Sequence, residues 1–317
     1  VDIAIIGGGI AGVFAAKRLK EAGHTPFIIE KSRSVGGRLA TRRINEGKAD
    51  HGAQFFTVRT KAFQKEVDEW LYEGWAKEWF RDKYPRYRGT NGMNSLLKNT
   101  AESLPVMLEE KIIRLESDGA SVTLASENGE LFIADAAIVT APVPQILNLI
   151  EQSALGLSEK VRAQLAAGAY NPCLVGLFEM KDSITLSESG LLDKDLPEGM
   201  DKIISNSQKG ISSSSILSVY MNSQWSTSHY QLEDPAVLNE ITSLLSFLES
   251  KVISGQLKRW RYAEAAHVYE QPYLQLDNFP IYAAGDAFLS PADSSKRARI
   301  ESAFLSGTAA ADRLITG

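Results

Sequence analysis

Six residues near the start of the chain, Gly7-Gly8-Gly9-Ile10-Ala11-Gly12, fit the pattern G-x-G-x-x-G. The chemistry this pattern serves is the holding of a diphosphate. Gly7 permits a tight turn, Gly9 lets backbone approach the phosphates, and Gly12 lets a helix pack closely on a strand. Free N–H groups at the helix start, around Ile10 and Ala11, favour negative charge, as does the helix macrodipole. Any buried helix opened by a glycine turn gives the same letters, so the neighbours must decide. An apolar run, Ile3 to Ile6, ends at the turn, helical periodicity follows from Ile10 to Ala22, and Phe27 to Glu30 is a second apolar run. Glu30, followed by Lys31, lies about 20 residues past the turn, where an acid accepts hydrogen bonds from a ribose diol. The constellation serves NAD and FAD equally.

Strand, helix and strand within about 30 residues make one βαβ unit, and Gly23 stops its helix. Residues 60–80 read as helical up to the Tyr84-Pro85-Arg86 turn, and Met93 to Ser103 reads as a short helix. From Val106 to Thr140 the alternation is that of strands, broken at Asp118-Gly119 and Asn128-Gly129, both hairpin dipeptides. Pro142 and Pro144 precede a helix expected near 145–151. Residues 158–260 mix strands at Cys173–Met180 and Ile216–Met221 with a helix near 235–252, and the serine run 212–215 reads as a loop edge. A strand from Pro280 to Ala284 and a helix over about 297–315 close the chain. The expected fold is α/β, a Rossmann-like dinucleotide domain with an inserted α+β substrate domain. The first would comprise residues 1–60, 88–143 and 270–317, the second residues 61–87 and 144–269.

The segment after the second strand separates the two cofactors. Ser34-Val35-Gly36-Gly37-Arg38-Leu39-Ala40-Thr41-Arg42 resembles the G-G-R-x-x-T motif of flavoenzymes related to monoamine oxidase. There Gly37 admits close backbone approach and Arg38 can pair with a phosphate. Tyr282-Ala283-Ala284-Gly285-Asp286-Ala287 resembles the distal Gly-Asp motif of the same flavoproteins, in which the Asp binds the ribityl chain. Arg299 and Ile300 then occupy the start of the helix that in those proteins faces the flavin pyrimidine, with Ser302 where relatives often have Gly. A positive helix end there would stabilise negative charge on reduced flavin. Ile112 fits the strand position that brings a backbone group to adenine. The resemblance implies FAD as cofactor and a two-dinucleotide-binding-motif flavoprotein.

A narrower resemblance is to the renalases. It is carried by GGRLATRR, by Asp50-His51-Gly52-Ala53-Gln54-Phe55-Phe56-Thr57, by Gln224-Trp225-Ser226 and by Trp260-Arg261-Tyr262-Ala263. His51 stands where Leu is usual and Phe55 where Tyr is common. The resemblance implies that 2- and 6-dihydro isomers of NAD(P) are oxidised to NAD(P)+ and that O2 is reduced to H2O2. Such a dihydropyridine becomes aromatic by losing one hydride, so the site needs orientation rather than a strong base. The hydride-bearing carbon has to approach the flavin at about 3–3.5 Å. Gln54, Phe56, Trp260, Tyr262 and His267 are the candidate pocket residues, with Gln54 and Phe55 also placed against the cofactor. His51 lies at the flavin-side strand, while His24 and His229 read as loop residues. Two alternatives share the fold: a flavin-containing amine oxidase, with an aromatic cage and a lysine near the flavin, and a non-catalytic binder resembling the Rab GDP-dissociation inhibitors. Aromatic hydroxylases usually carry a proline after the Gly-Asp motif, and the nearest here, Pro291, is out of register.

Composition bounds the remaining classes. The 317 residues are enough for two domains, and a net charge of −5 argues against a nucleic-acid surface. The single cysteine, Cys173, lies in an apolar run and reads as a core residue. No apolar run reaches the roughly 18 residues of a membrane span, and the N-terminal residues lack signal-peptide features. The expected setting is the cytoplasm and the expected partners are a small dinucleotide substrate and O2. Oligomeric state is not legible.

Overall fold

The computed structural model describes residues 1–153 and 155–316. The chain begins with β1 (Asp2–Ile6), α1 (Ile10–Glu21) and β2 (Thr25–Glu30), the unit expected around the glycine turn. A hairpin of β3 (Thr41–Ile44) and β4 (Gly47–Asp50) follows, then α2 (Lys61–Tyr72). The helix expected over 60–80 is therefore shorter. Gly74, at a φ of +70°, turns the chain, and the rest becomes the hairpin of β5 (Ala76–Arg81) and β6 (Pro85–Gly89). After α3 (Met93–Thr100) and β7 (Val106–Leu108) come β8 (Ile112–Ser117), β9 (Val122–Ser126) and β10 (Leu131–Ala134). These three form a meander that turns at Gly119 and Gly129, both at positive φ as their hairpins require.

Next are β11 (Ala136–Val139), α4 (Val143–Glu151) and α5 (Glu159–Ala166). The second half holds β12 (Tyr170–Met180), β13 (Leu191–Leu192), β14 (Met200–Ser205), β15 (Ile216–Met221), α6 (Ser223–His229), α7 (Asp234–Leu244) and β16 (Val252–Ala265). The chain then returns through β17 (Leu274–Gln275), β18 (Ile281–Ala283) and α8 (Ile300–Thr316). α7 stops before the expected residue 252 because a short 3-10 turn, Leu245–Leu248, and Glu249 at left-handed φ end it.

Two sheets organise these elements. The first has the order β17-β18-β11-β1-β2-β7, with β18, β11, β1, β2 and β7 mutually parallel and β17 antiparallel at the edge. Its strands are apolar on both faces, as a sheet covered by helices must be. The second has the order β13-β14-β15-β12-β16 and is antiparallel throughout. This is the expected Rossmann-like domain with an α+β insertion. Helices α6 and α7 cover one face of the inserted sheet, where Val237 and Ile241 pack on Phe178 and Leu217. The β3–β4 hairpin covers the other, through Ile44 and Ala49 against Val175 and Leu177. The serine run ties the two together: Ser212 Oγ accepts from Lys48 N and Ser213 Oγ donates to Glu46 O.

Two segments assigned by sequence to the inserted domain pack in the first one. Phe63, Val67, Trp70 and Tyr87 bury against Phe14 and Phe304, and Ile146, Ile150 and Leu165 join Val139 and Ile29. The physical reason is that a parallel sheet needs apolar cover on both faces, and these helices carry the available stripes. Among the described residues no helix is long and apolar enough to cross a membrane.

Helices α1 and α8 cross where Gly307 faces Ala11, and a methyl group on Gly307 would lie 2.1 Å from the Ala11 carbonyl oxygen. Gly307→Ala should cost about 1–3 kcal/mol through overpacking. Thermal unfolding of the variant should show a lower Tm, and an unchanged Tm would show that the crossing can relax.

Candidate functional site

The β1–α1 turn leaves a cradle bounded by the two glycine-rich segments. Gly7 has a φ of +110° and Gly9 caps α1 with no side chain bonded to the helix N–H groups. Gly36 N donates to Gly8 O at 2.8 Å, and a Cβ on Gly37 would lie 3.2 Å from Gly9 Cα. The G-G-R segment is thereby folded onto the first turn. A Cβ on Gly12 would meet Gly7 O at 2.0 Å, so that glycine is needed for packing. A Cβ on Gly9 would meet nothing within 4 Å, and one on Gly285 would meet only Thr140 O at 3.8 Å. Those two glycines, from opposite ends of the sequence, look into open space. Glu30 is buried beside the turn and accepts from Gly8 N at 2.7 Å and Ser32 N at 2.8 Å. Glu110 N donates to Glu30 O, which brings the chain entering β8 at Ile112 next to the carboxylate. Uncapped helix N–H groups, an open glycine cradle and a buried acid at its rim form a donor set that fits FAD.

The charges of the two motifs meet. Arg38 makes a bidentate pair with Asp286, at 2.8 and 2.5 Å, and Tyr170 OH donates to Asp286 Oδ1 at 3.2 Å. Burial works against the Arg38 charge, but Asp286 outweighs it and raises the pKa; burial, then Asp286, raises that of Tyr170. Arg38 thus faces Asp286, where the sequence placed it on a phosphate. It is also 3.4 Å from the carbonyls of Tyr262 and Ala263, which ties the inserted sheet to the cofactor motifs. Tyr262 packs edge-on against Tyr170.

Trp260 lies two residues along β16, across a register shift in that strand, donates Nε1–H to His51 O at 2.7 Å and stacks on the His51 ring. The Nδ1 of His51 is buried without a hydrogen-bond partner. Burial, then Lys258 and Arg42 against the opposing effect of Asp50, pushes the His51 pKa down to about 4, so the ring is neutral near pH 7. Two ring pairs, Tyr170 with Tyr262 and His51 with Trp260, therefore line β16 from the Asp286 pair towards β3.

Gln54 is spoken for elsewhere. Its Nε2 donates to Asp50 O and to Tyr220 OH, and its Oε1 accepts from Lys209 Nζ at 2.8 Å. Lys209 and Asp50 are both fully buried and paired at 2.7 Å. Asp50 also accepts from Met93 N and Thr41 Oγ1, Asn206 Oδ1 accepts from Asp50 N, and Ser218 Oγ donates to Asp50 O. This hub joins β4, the start of α3 and the inserted sheet. The resemblance over Asp50–Thr57 implied no role for Asp50, and Lys209 sits in a polar stretch without periodic signal.

Four of the expected site residues take other partners. Phe56 is a core residue, packed on Phe63, Trp70 and Tyr87, because its backbone bridges Tyr87 and turns the ring inward. His267 is exposed, with its ring edge-on to Tyr269. Phe55 packs with Trp79 and Phe80 below the Arg86 guanidinium. Lys31 is exposed and reaches Gln145 Oε1 at 3.1 Å. At the start of α8, Arg299 pairs with buried Asp293 at 3.0 Å, and Ser302 Oγ donates to the same carboxylate. Ile300 opens that helix, and Glu301 accepts from Thr60 N at 2.7 Å, joining it to the start of α2. Tyr170, Lys209 and Asp293 were not legible as site residues, since a single polar letter in a loop or strand has no periodic signature.

Comparison with known proteins agrees with this arrangement. Residues 5–70 match the model of an NAD(P)-binding Rossmann-like domain, and residues 71–315 match that of flavin containing amine oxidoreductases. The FAD-dependent oxidoreductase dpchF of Colletotrichum higginsianum is 47% identical over 49 residues, 16% of this chain and 10% of that protein. The flavin-containing amine oxidase of Oncorhynchus mykiss is 52% identical over 47 residues, 15% of this chain and 9% of that protein. The matched stretches thus span about a tenth of these relatives. A crystal structure from Exiguobacterium sp. 255-15, named as a protoporphyrinogen oxidase, superposes with a TM-score of 0.69 at 13% identity, covering 99% of this chain and 98% of that one. A fatty acid isomerase from P. acnes gives 0.67 at 11% identity, covering 98% of each chain. At such identities the likeness is one of fold.

Lys209→Met leaves the Asp50 carboxylate buried and unpaired, and should destabilise the protein by about 3–5 kcal/mol. Adding Asp50→Asn to the same chain should restore part of that loss. Urea unfolding of the single and double variants measures both, and additive losses would show that the pair is not coupled.

Proposed function

The chain belongs to the flavin containing amine oxidoreductase family, and from that premise we propose a renalase-like FAD oxidase acting on 2- or 6-dihydro isomers of NAD(P). The products are NAD(P)+ and H2O2. FAD, when bound, supplies the hydride acceptor at N5 and returns the electrons to O2. In this reading the N–H groups at Ile10, Ala11 and Gly12, beside Gly7 and Gly9, hold the diphosphate. Glu30 takes the ribose, Ile112 offers its backbone to adenine, and Asp286 takes the ribityl chain from Gly285. Arg299 and Ile300 present the α8 start to the pyrimidine. The parallel-sheet unit is the FAD domain and the antiparallel sheet is its substrate cover.

One observation carries the choice of substrate: neither His51 nor Tyr170, the titratable rings beside Asp286 and Trp260, is poised to take a proton. His51 is neutral, with its pKa down at about 4, and burial, then Asp286, raises the Tyr170 pKa so that it stays a phenol. Gln54 and Lys209 are bonded to each other and to Asp50. A wall of Trp260, Tyr262 and Tyr170 orients a flat ring by stacking and excludes water without moving a proton. A dihydropyridine needs nothing more, because its aromatisation drives hydride loss. The second reading, an amine oxidase, is favoured by the buried Lys209, since that class carries a lysine near its flavin.

Anaerobic mixing discriminates the two. Bleaching of the flavin band by 6-dihydro-NAD, with none by benzylamine, is the expected result, and the reverse selects the amine oxidase. Independently, Asp286→Ala removes a charge-assisted contact of about 1.5–3 kcal/mol, so FAD retention should fall roughly ten-fold or more. Full flavin occupancy after gel filtration would remove Asp286 from the cofactor site.

A further inference from the structure

The face of the inserted sheet that carries Trp260 also carries Lys258. In a strand, alternate residues share a face at a step of about 6.8 Å, so Trp260 and Lys258 form a row, and beyond Trp260 a register shift in β16 leads to Tyr262 at the Asp286 end. Lys258 pairs across the ladder with Val175, whose side chain packs on Ile44 of β3. Arg42 lies on the same face of β3 as Ile44, and so projects over this row beside Lys258. Ala40 O accepts from His51 N at 2.9 Å, which holds His51 next to Arg42 and against Trp260. Among the described residues neither Arg42 nor Lys258 has a carboxylate within ion-pair distance, whereas Arg38 and Arg259 each have one. Among the described residues the one polar contact of Lys258 Nζ is Gln256 Oε1 at 3.4 Å. Two cations without counter-ions thus flank one aromatic wall in a chain of net charge −5.

We propose that Arg42 and Lys258 form an anion subsite for the substrate diphosphate, placed one ribose beyond the ring that Trp260 and Tyr262 orient, and that it selects phosphorylated dihydropyridines over amines. The inference rests on the dinucleotide substrate proposed above. Its physical basis is charge: a phosphate gains two partners that the protein leaves free, whereas an ammonium group meets a third like charge. The neighbours feel the same field. Burial and then Arg42 lower the Lys258 pKa, with Asp234 opposing, and Lys258 and Arg42 both help to keep His51 neutral. A neutral imidazole leaves the charge of the subsite to Arg42 and Lys258.

The test uses holoenzyme titrated with NAD+ and, separately, nicotinamide riboside, which lacks the diphosphate, each followed by the flavin difference spectrum. In the unmodified protein NAD+ should bind more tightly than the riboside, and the gap should shrink as salt rises. In Arg42→Gln/Lys258→Gln the NAD+ affinity should fall about ten-fold or more with riboside affinity unchanged, while Lys258→Arg should keep the preference. Equal binding of the two ligands by the unmodified protein at low salt overturns the proposal. So does an NAD+ affinity indifferent to the double substitution, or an equal loss for both ligands. If dihydro-NAD isomers fail to bleach the flavin while NAD+ still depends on Arg42 and Lys258, the oxidase reading fails and the subsite stands. Bleaching without that dependence does the opposite.

Discussion

Where α1 passes β1, Gly12 leaves no room for a methyl group beneath the Gly7 carbonyl, and where α1 passes α8, Gly307 does the same against Ala11. These two contacts let α1 sit between the parallel sheet and the last helix with its first N–H groups uncapped by any side chain. The open cradle at the glycine turn follows from that placement. The G-G-R segment can fold onto the turn only because Gly9 and Gly37 approach within van der Waals distance. Arg38 then reaches Asp286 from the far end of the chain. A bulkier residue at either crossing would push α1 outward and separate the donors from the acid at Glu30.

The second dependency is the Asp50–Lys209 pair, which joins the inserted sheet to the cofactor unit. A buried ion pair gains little against an apolar alternative, because desolvation consumes most of its Coulomb energy. Its value here is direction. Asp50 and its carbonyl collect bonds from Lys209, Thr41, Met93, Gln54 and Ser218, so the chain leaving β4 has one exit path. That path sets His51 against Trp260 and turns Phe56 into the core. The family resemblance placed Gln54 on the flavin face; in the fold its amide bonds Asp50, Tyr220 and Lys209.

Charge is distributed unevenly along the resulting wall. At the Asp286 end, Arg38 is neutralised by a bidentate partner. At the β3 end, Arg42 and Lys258 are not. Between them stand rings and a neutral imidazole, a surface suited to a flat group with an anionic tail. The cation at the start of α8 is likewise matched, by Asp293, leaving the helix N–H groups as the positive feature there.

The glycine turn, Glu30, the G-G-R segment and Gly285-Asp286 were legible because each acts through local geometry: a φ that only glycine takes readily, a helix start, or an acid closing a strand. Periodicity likewise gave β1, α1, the β8–β10 meander and α8. The sequence could not assign α2, α4 and α5 to the right core, because an apolar stripe says that a helix is buried but not against which sheet. Nor could it separate Phe56 from Trp260, since both are aromatic letters beside a motif, and the Tyr87 bridge and the His51 stack decide their directions. Lys209 and Tyr170 had no signal at all, as their partners lie 159 and 116 residues away. Local backbone chemistry was written in the sequence, while the pairing of buried charges across two sheets depended on chain crossings that only the assembled fold fixes.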